Sequence, residues 1–254
     1  MTVEATNRWG LLFQAFWGAR EEDSVTVARR LIDTLAALDG FRDAIGGRWV
    51  DASGHDVERT TQAAEDLVAR SVPSSIDGRT FAEQGFSVVL VLVPAGESSF
   101  ESRSTLRLTI AAGSAVTPRR NFHNTVFVDG TSLFPEQETF PLWPAAFAGL
   151  VGAWQPEHAA LLSKEQRRVN DQLVPHVDEP WIGAITYLSD RAGSFPVPSV
   201  PARVDILPDG AMLSLEPDSP DDAVAGSSVL AVLEAASSDD WKARIPLDSG
   251  EADR

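Results

Sequence analysis

Trp181-Ile182-Gly183-Ala184-Ile185-Thr186-Tyr187-Leu188-Ser189 is the stretch that decides how this chain folds. β-branched and aromatic residues dominate it, and Pro180 stands just before it. Such residues fit a pleated, covered surface, and a glycine inside the run marks a place where a bulky neighbour presses in. The pattern predicts a strand in the middle of a sheet.

Toward the C-terminus, Ala202 to Leu207 and Ala211 to Leu215 flank Pro208-Asp209-Gly210, which predicts a hairpin. Pro220 to Ala236 reads as a last helix with Val224, Val229, Val232 and Leu233 inward. Residues 238–254 are acidic and poor in apolar side chains, so a flexible tail is expected after a single domain over 1–237.

Toward the N-terminus, His158 to Leu162 reads as a strand leading into a charged, solvated segment, Lys164 to Asp171. Phe140 to Trp154 carries apolar residues at helical spacing, with Pro144 in the first turn and Pro156 at the end. Phe86 to Val93 is an almost unbroken apolar run, a strand covered on both faces. In Ser104 to Ala111, Leu106, Leu108 and Ile110 alternate with Thr105, Arg107 and Thr109, which predicts an antiparallel neighbour with one wet face. Asn124 to Val128 is a further short strand, and residues 56–70 are a helix with Ala63, Leu67 and Val68 inward. Gly10 to Trp17 reads as the first strand. A helix over about 24–38 follows, capped by Asp23 or Ser24, with Val27, Leu31, Leu35 and Leu38 on one face. Phe41 to Trp49, broken by Gly46-Gly47, is expected to lie over that helix as a flap. Short hairpins outnumber crossovers, so the class is α+β: a mainly antiparallel sheet with helices packed against it.

A chain of 254 residues buries roughly three quarters of its unfolded surface, so no metal or disulfide is needed for stability. There is no cysteine, which excludes thiolate metal sites and cysteine nucleophiles. With 37 acidic and 21 basic residues, the net charge is -16. A field of that sign repels nucleic acid and anionic membranes and attracts a basic protein. No apolar run is long enough to span a membrane, and Met1 to Arg8 is not built like a secretory signal, so a cytoplasmic protein is expected.

The tools of catalysis are sparse. None of the four histidines (His55, His123, His158, His176) has a second ligand at helical spacing. His55-Asp56 reads as a surface turn, and Arg119-Arg120-Asn121 before His123 as an exposed loop. Phosphate-loop, dinucleotide and nucleophile-elbow motifs are missing. No catalytic residue, metal or cofactor is assigned. Trp17, Trp154 and Trp181 stand beside glycine or proline and read as core packing, with interface anchoring as the other reading. Trp9 and Trp241 are expected to be exposed.

Four segments carry a resemblance. Phe16-Trp17-Gly18-Ala19-Arg20-Glu21-Glu22, followed by an amphipathic helix, resembles the opening of the immunity protein 52 family, with Ala19 in place of a proline. Ala153-Trp154-Gln155-Pro156-Glu157-His158 is similar to that family's Ala-Trp-Asp-Pro-Asp-Trp segment, with Gln155 replacing the acid and His158 the second tryptophan. Trp181 to Ser189 looks like its Gly-Trp-x-Thr-Tyr-Leu-Ser strand, and Leu207 to Pro217 like its closing pattern.

The resemblance implies a cytoplasmic antidote that binds a cognate protein toxin, often a restriction-endonuclease-like nuclease, and catalyses nothing. The motif residues are read as scaffold. Exposed acids, Glu97, Glu101, Asp218, Asp221 and Asp222, are the expected partner contacts. Two other classes stay open: a structural or adaptor protein of a phage or secretion system, and a hydrolase using carboxylates and a metal.

Overall fold

The computed structural model describes residues 10–74, 77–96, 105–116, 124–130, 139–173, 181–193, 195, 201–215, 227, 229–230 and 232. Nine strands form one sheet: β1 (Leu11–Trp17), β2 (Gly47–Asp51), β3 (Phe86–Pro94), β4 (Leu106–Ala112), β5 (Asn124–Asp129), β6 (His158–Ser163), β7 (Ile185–Ser189), β8 (Ala202–Leu207) and β9 (Gly210–Leu215). Their order is β2-β3-β4-β5-β1-β6-β7-β9-β8, and each pair of neighbours is antiparallel. The α-helices fully traced among the described residues are α1 (Ser24–Ala37), α2 (Asp39–Ile45), α3 (Thr61–Ala69), α4 (Trp143–Trp154) and α5 (Lys164–Leu173). The α+β class, a mainly antiparallel sheet with packed helices, is what the structure shows.

β1 lies at the centre and fixes which face is which. Phe13 stands opposite Val128 and Leu161, and Ala15 opposite Val126 and Ala159. Side chains alternate along a strand, so Leu11, Phe13, Ala15 and Trp17 share one face. All four are buried in one cluster with Val27, Leu31 and Leu35 of α1 and Phe147, Leu150 and Trp154 of α4. Phe13 meets Phe147 edge-on, with ring centroids 5.4 Å apart. Asp23 caps α1 by accepting from the Thr26 N–H at 2.8 Å. The opposite face is covered near β7 and β9, where Leu213 and Leu215 pack with Ile182, Val169, Val229 and Val232.

Several expectations need correction. The 181–189 stretch does lie inside the sheet, between β6 and β9, but it is a strand only from Ile185. Before β7, Asn170 takes the place of a neighbouring strand. Its Oδ1 accepts from the Ile182 N–H at 2.8 Å, and its Nδ2 donates to the Ile182 carbonyl at 2.7 Å. Gly183 meets backbone as well as a bulky side chain: a Cβ there would overlap the Leu161 carbonyl oxygen and crowd the Leu162 side chain. Phe41 to Trp49 is no flap. Phe41 lies in α2 and is fully buried, Gly46 ends α2 with φ +59, and Trp49 faces the core from edge strand β2. Five residues with Arg48 and Asp51 among them are too few to show a period. The helix expected over 56–70 starts at Thr61, and Ala64 rather than Ala63 joins Val68 inside. Lys164 to Asp171 is not simply a solvated segment. It lies within α5, whose Gln166 and Asn170, one turn apart, are fully buried. Of the expected last helix, Val229 and Val232 are helical and buried as read. Val224 and Leu233, and the expected tail at 238–254, lie outside the described residues.

Gly183→Ala is expected to cost roughly 3 kcal/mol or more, because the Leu161 backbone must move. Gly152→Ala, where an added Cβ meets nothing within 4 Å, is expected to stabilise α4 by about 0.5–1 kcal/mol. Urea unfolding midpoints of the two variants check both signs.

Candidate functional site

Antiparallel pairing brings four chain turns to one end of the sheet. Phe16 stands opposite His158, His158 opposite Leu188, and Ser189 opposite Gly210. The turn after β1, the turn between α4 and β6, the turn after β7 and the β8–β9 turn therefore meet. They enclose a cleft of about 560 Å³. Trp17 to Arg20 line one part of it, Gln155 to Glu157 another, and Tyr187, Ser189 to Arg191 and Asp209 the rest.

The first part is held by Arg20. The last carbonyls of a helix have no partner within it and carry the negative end of its dipole. α4 has no basic residue in its own last turn. Arg20 supplies one: it donates to the Trp154 carbonyl at 2.8 Å and the Gln155 carbonyl at 3.3 Å. Arg30 donates to the Ala153 carbonyl and, at 2.9 Å, to Glu22. Glu22 lies between the two guanidinium groups, 3.4 Å from that of Arg20. Burial lowers the Arg20 pKa, and the Glu22 carboxylate works against that shift. The Arg20 guanidinium also lies 4.9 Å from the Trp17 ring centre, a cation–π contact. Trp17 stacks on Trp154 at 5.5 Å, and the Trp154 indole donates to the Thr34 hydroxyl at 2.7 Å. Gln155 then leaves the helix in the left-handed region, φ 46.

Buried Asn124 fixes the same turn from the sheet side. Its amide donates to the carbonyls of Gly18 at 2.6 Å and Ser114 at 3.1 Å and accepts from the Ser114 N–H. The Arg20 N–H donates to the Ser114 carbonyl at 2.9 Å.

The far part of the cleft is acidic. The Tyr187 hydroxyl donates to the Asp209 carbonyl at 3.0 Å, and the Asp190 N–H to the same carbonyl at 3.1 Å. Burial pushes the Tyr187 hydroxyl above the ordinary phenol range, and the Asp209 and Asp190 carboxylates push the same way. The side chains of Asp190, Arg191 and Asp209 are exposed.

His158 lies on the opposite face from Trp17, stacked on Phe16 at 6.2 Å. Burial pushes its pKa down to about 4, while the bond from its Nε2–H to the Trp181 carbonyl, 2.9 Å, acts the other way. The ring is therefore neutral and packs as an aromatic. Trp17 and Trp154 are core, as read from the sequence, and Trp181 is half-buried.

The acids expected to contact a partner, Glu97, Glu101, Asp218, Asp221 and Asp222, lie outside the described residues. So do His123, His176, Arg119, Arg120, Trp9 and Trp241. His55 is exposed in a turn, 3.7 Å from Asp51. Among the described residues no group of three or more His, Asp or Glu side chains is placed to hold a metal ion. Asn124, Asp190, Arg191 and Asp209 were not singled out by sequence. Asp209 alone lies in one of the family-like segments; for Asn124, Asp190 and Arg191 the sequence carries no signal.

The fold is shared with a known structure. A type VI secretion system protein of Pseudomonas aeruginosa, PA0821, superposes with a TM-score of 0.50. The likeness covers 89% of this chain and 72% of that one at 11% sequence identity. No curated protein matches the chain. The profile of a family described as Immunity protein 52 matches residues 12–219. The chain belongs to that family, as the four segments had implied.

Arg20→Ala takes the donor from the Trp154 and Gln155 carbonyls and leaves Glu22 paired with Arg30 alone; a loss of roughly 1–3 kcal/mol in urea unfolding is expected. His158 gives a pH signature. Its unfolded pKa is near 6.5, so as pH falls below that value the unfolded state takes up a proton that the folded state refuses. Stability is lost down to about pH 4. Between pH 7.5 and 4.5 the wild type should lose roughly 2–3 kcal/mol more than His158→Gln. Equal losses in the two proteins would contradict the buried neutral ring.

Proposed function

We propose that this protein is a cytoplasmic antidote that binds a cognate protein toxin and neutralises it by occupancy, without catalysis. Membership of the immunity protein 52 family over most of the chain carries this reading. The charge of -16 supports a basic target, and a nuclease with a positive nucleic-acid groove is one. An acidic surface both speeds encounter with such a groove and competes with its substrate. The fold likeness to a protein named for a type VI secretion system fits a toxin-delivery setting.

The test is co-expression with the product of the neighbouring reading frame. The expected result is a stable one-to-one complex and rescue of growth from that product's toxicity. Affinity should fall as salt rises, because charge complementarity steers the encounter. Continued toxicity with no complex would remove the antidote reading.

A further inference from the structure

We propose that the cleft at the Trp17–Arg20 end of the sheet is the toxin-docking surface, and that it receives a loop presenting a basic side chain. This inference rests on the antidote reading and assigns the surface that reading leaves open.

Three observations point there. All four family-like segments contribute to this one concavity, although they are far apart in the chain. Arg20 is already engaged with two carbonyls and Glu22, so its charge is offset where it stands. The exposed carboxylates of Asp190 and Asp209 are not similarly committed: no ion pair joins them to a described residue, and both lie close enough to Tyr187 to raise its pKa. A lysine or arginine entering beside them meets two carboxylates. Arg191, exposed on the same wall, offers donors to the carbonyls that flank that side chain.

Two further features suit a protein partner. Trp17 lines the cleft and is 2% exposed, yet its indole N–H has no acceptor among the described residues. A buried donor left unpaired is costly, and a bound group or a trapped water relieves that cost. Val116 is 40% exposed. Val116 stands two residues from Ser114, whose carbonyl holds the Arg20 N–H. Apolar side chains beside a polar cleft are the usual make-up of a protein interface.

The experiment uses the full chain and the purified, catalytically inactivated product of the neighbouring reading frame, with affinity read by calorimetry. Asp190→Lys/Asp209→Lys is expected to weaken binding at least 100-fold with an unchanged melting temperature, since both side chains are exposed in turns. Glu58→Lys/Asp66→Lys makes the same charge change beside α3 and should stay within threefold of wild type. If the first double variant misfolds, Asp190→Asn/Asp209→Asn is expected to weaken binding at least tenfold. Near-wild-type affinity of the folded cleft variants, or equal weakening by the α3 control, overturns the docking site while leaving the antidote reading intact. Failure of the wild type to bind removes the antidote reading itself, and the docking site with it.

Discussion

Arg20 binds the two layers of this molecule together. Its backbone belongs to the turn that leaves the central strand, and its guanidinium ends helix α4. Helix termini are expensive to bury without partners, and cations suit a C-terminus. Placing that cation on the sheet rather than on the helix turns a local capping need into a link between layers. The Trp17–Trp154 stack and the Trp154–Thr34 hydrogen bond surround the link with apolar and aromatic contact. The chain turns around it are thereby held rigid, and a rigid surface loses little entropy when a partner docks.

Much of the fold was legible because the strands alternate cleanly. Leu106, Leu108 and Ile110 against Arg107 and Thr109 gave β4 its faces, and the Pro208-Asp209 turn placed the last hairpin. The Trp181 stretch was legible as an interior strand but not in its limits. Ile182 satisfies its backbone groups through Asn170, a side chain 12 positions upstream, and no local pattern announces such a pairing. α5 was hidden for a related reason. Its buried residues are Gln166 and Asn170, so a search for apolar period saw only charge. β2 was too short and too polar to stand out.

The cleft was less legible than the fold. The family-like segments are scaffold in that Trp17, Trp154 and Tyr187 are buried. The acids beside them carry no mark of binding in sequence: Asp209 reads as a turn residue of Pro208-Asp209-Gly210, and Asp190 is one of 37 acidic side chains. Only the antiparallel registers, which bring His158, Leu188 and Gly210 to one edge, show that segments up to about 190 positions apart share a surface.

On the proposed antidote reading, a bound toxin shields a definite patch of this chain. Hydrogen–deuterium exchange on the complex with the neighbouring frame's product, compared with the free chain, measures that patch directly. The account predicts added protection concentrated at Gly18–Arg20, Gln155–Glu157 and Ser189–Arg191 and around Asp209. Protection confined to the β2–α3 edge, with those turns unchanged, would contradict it.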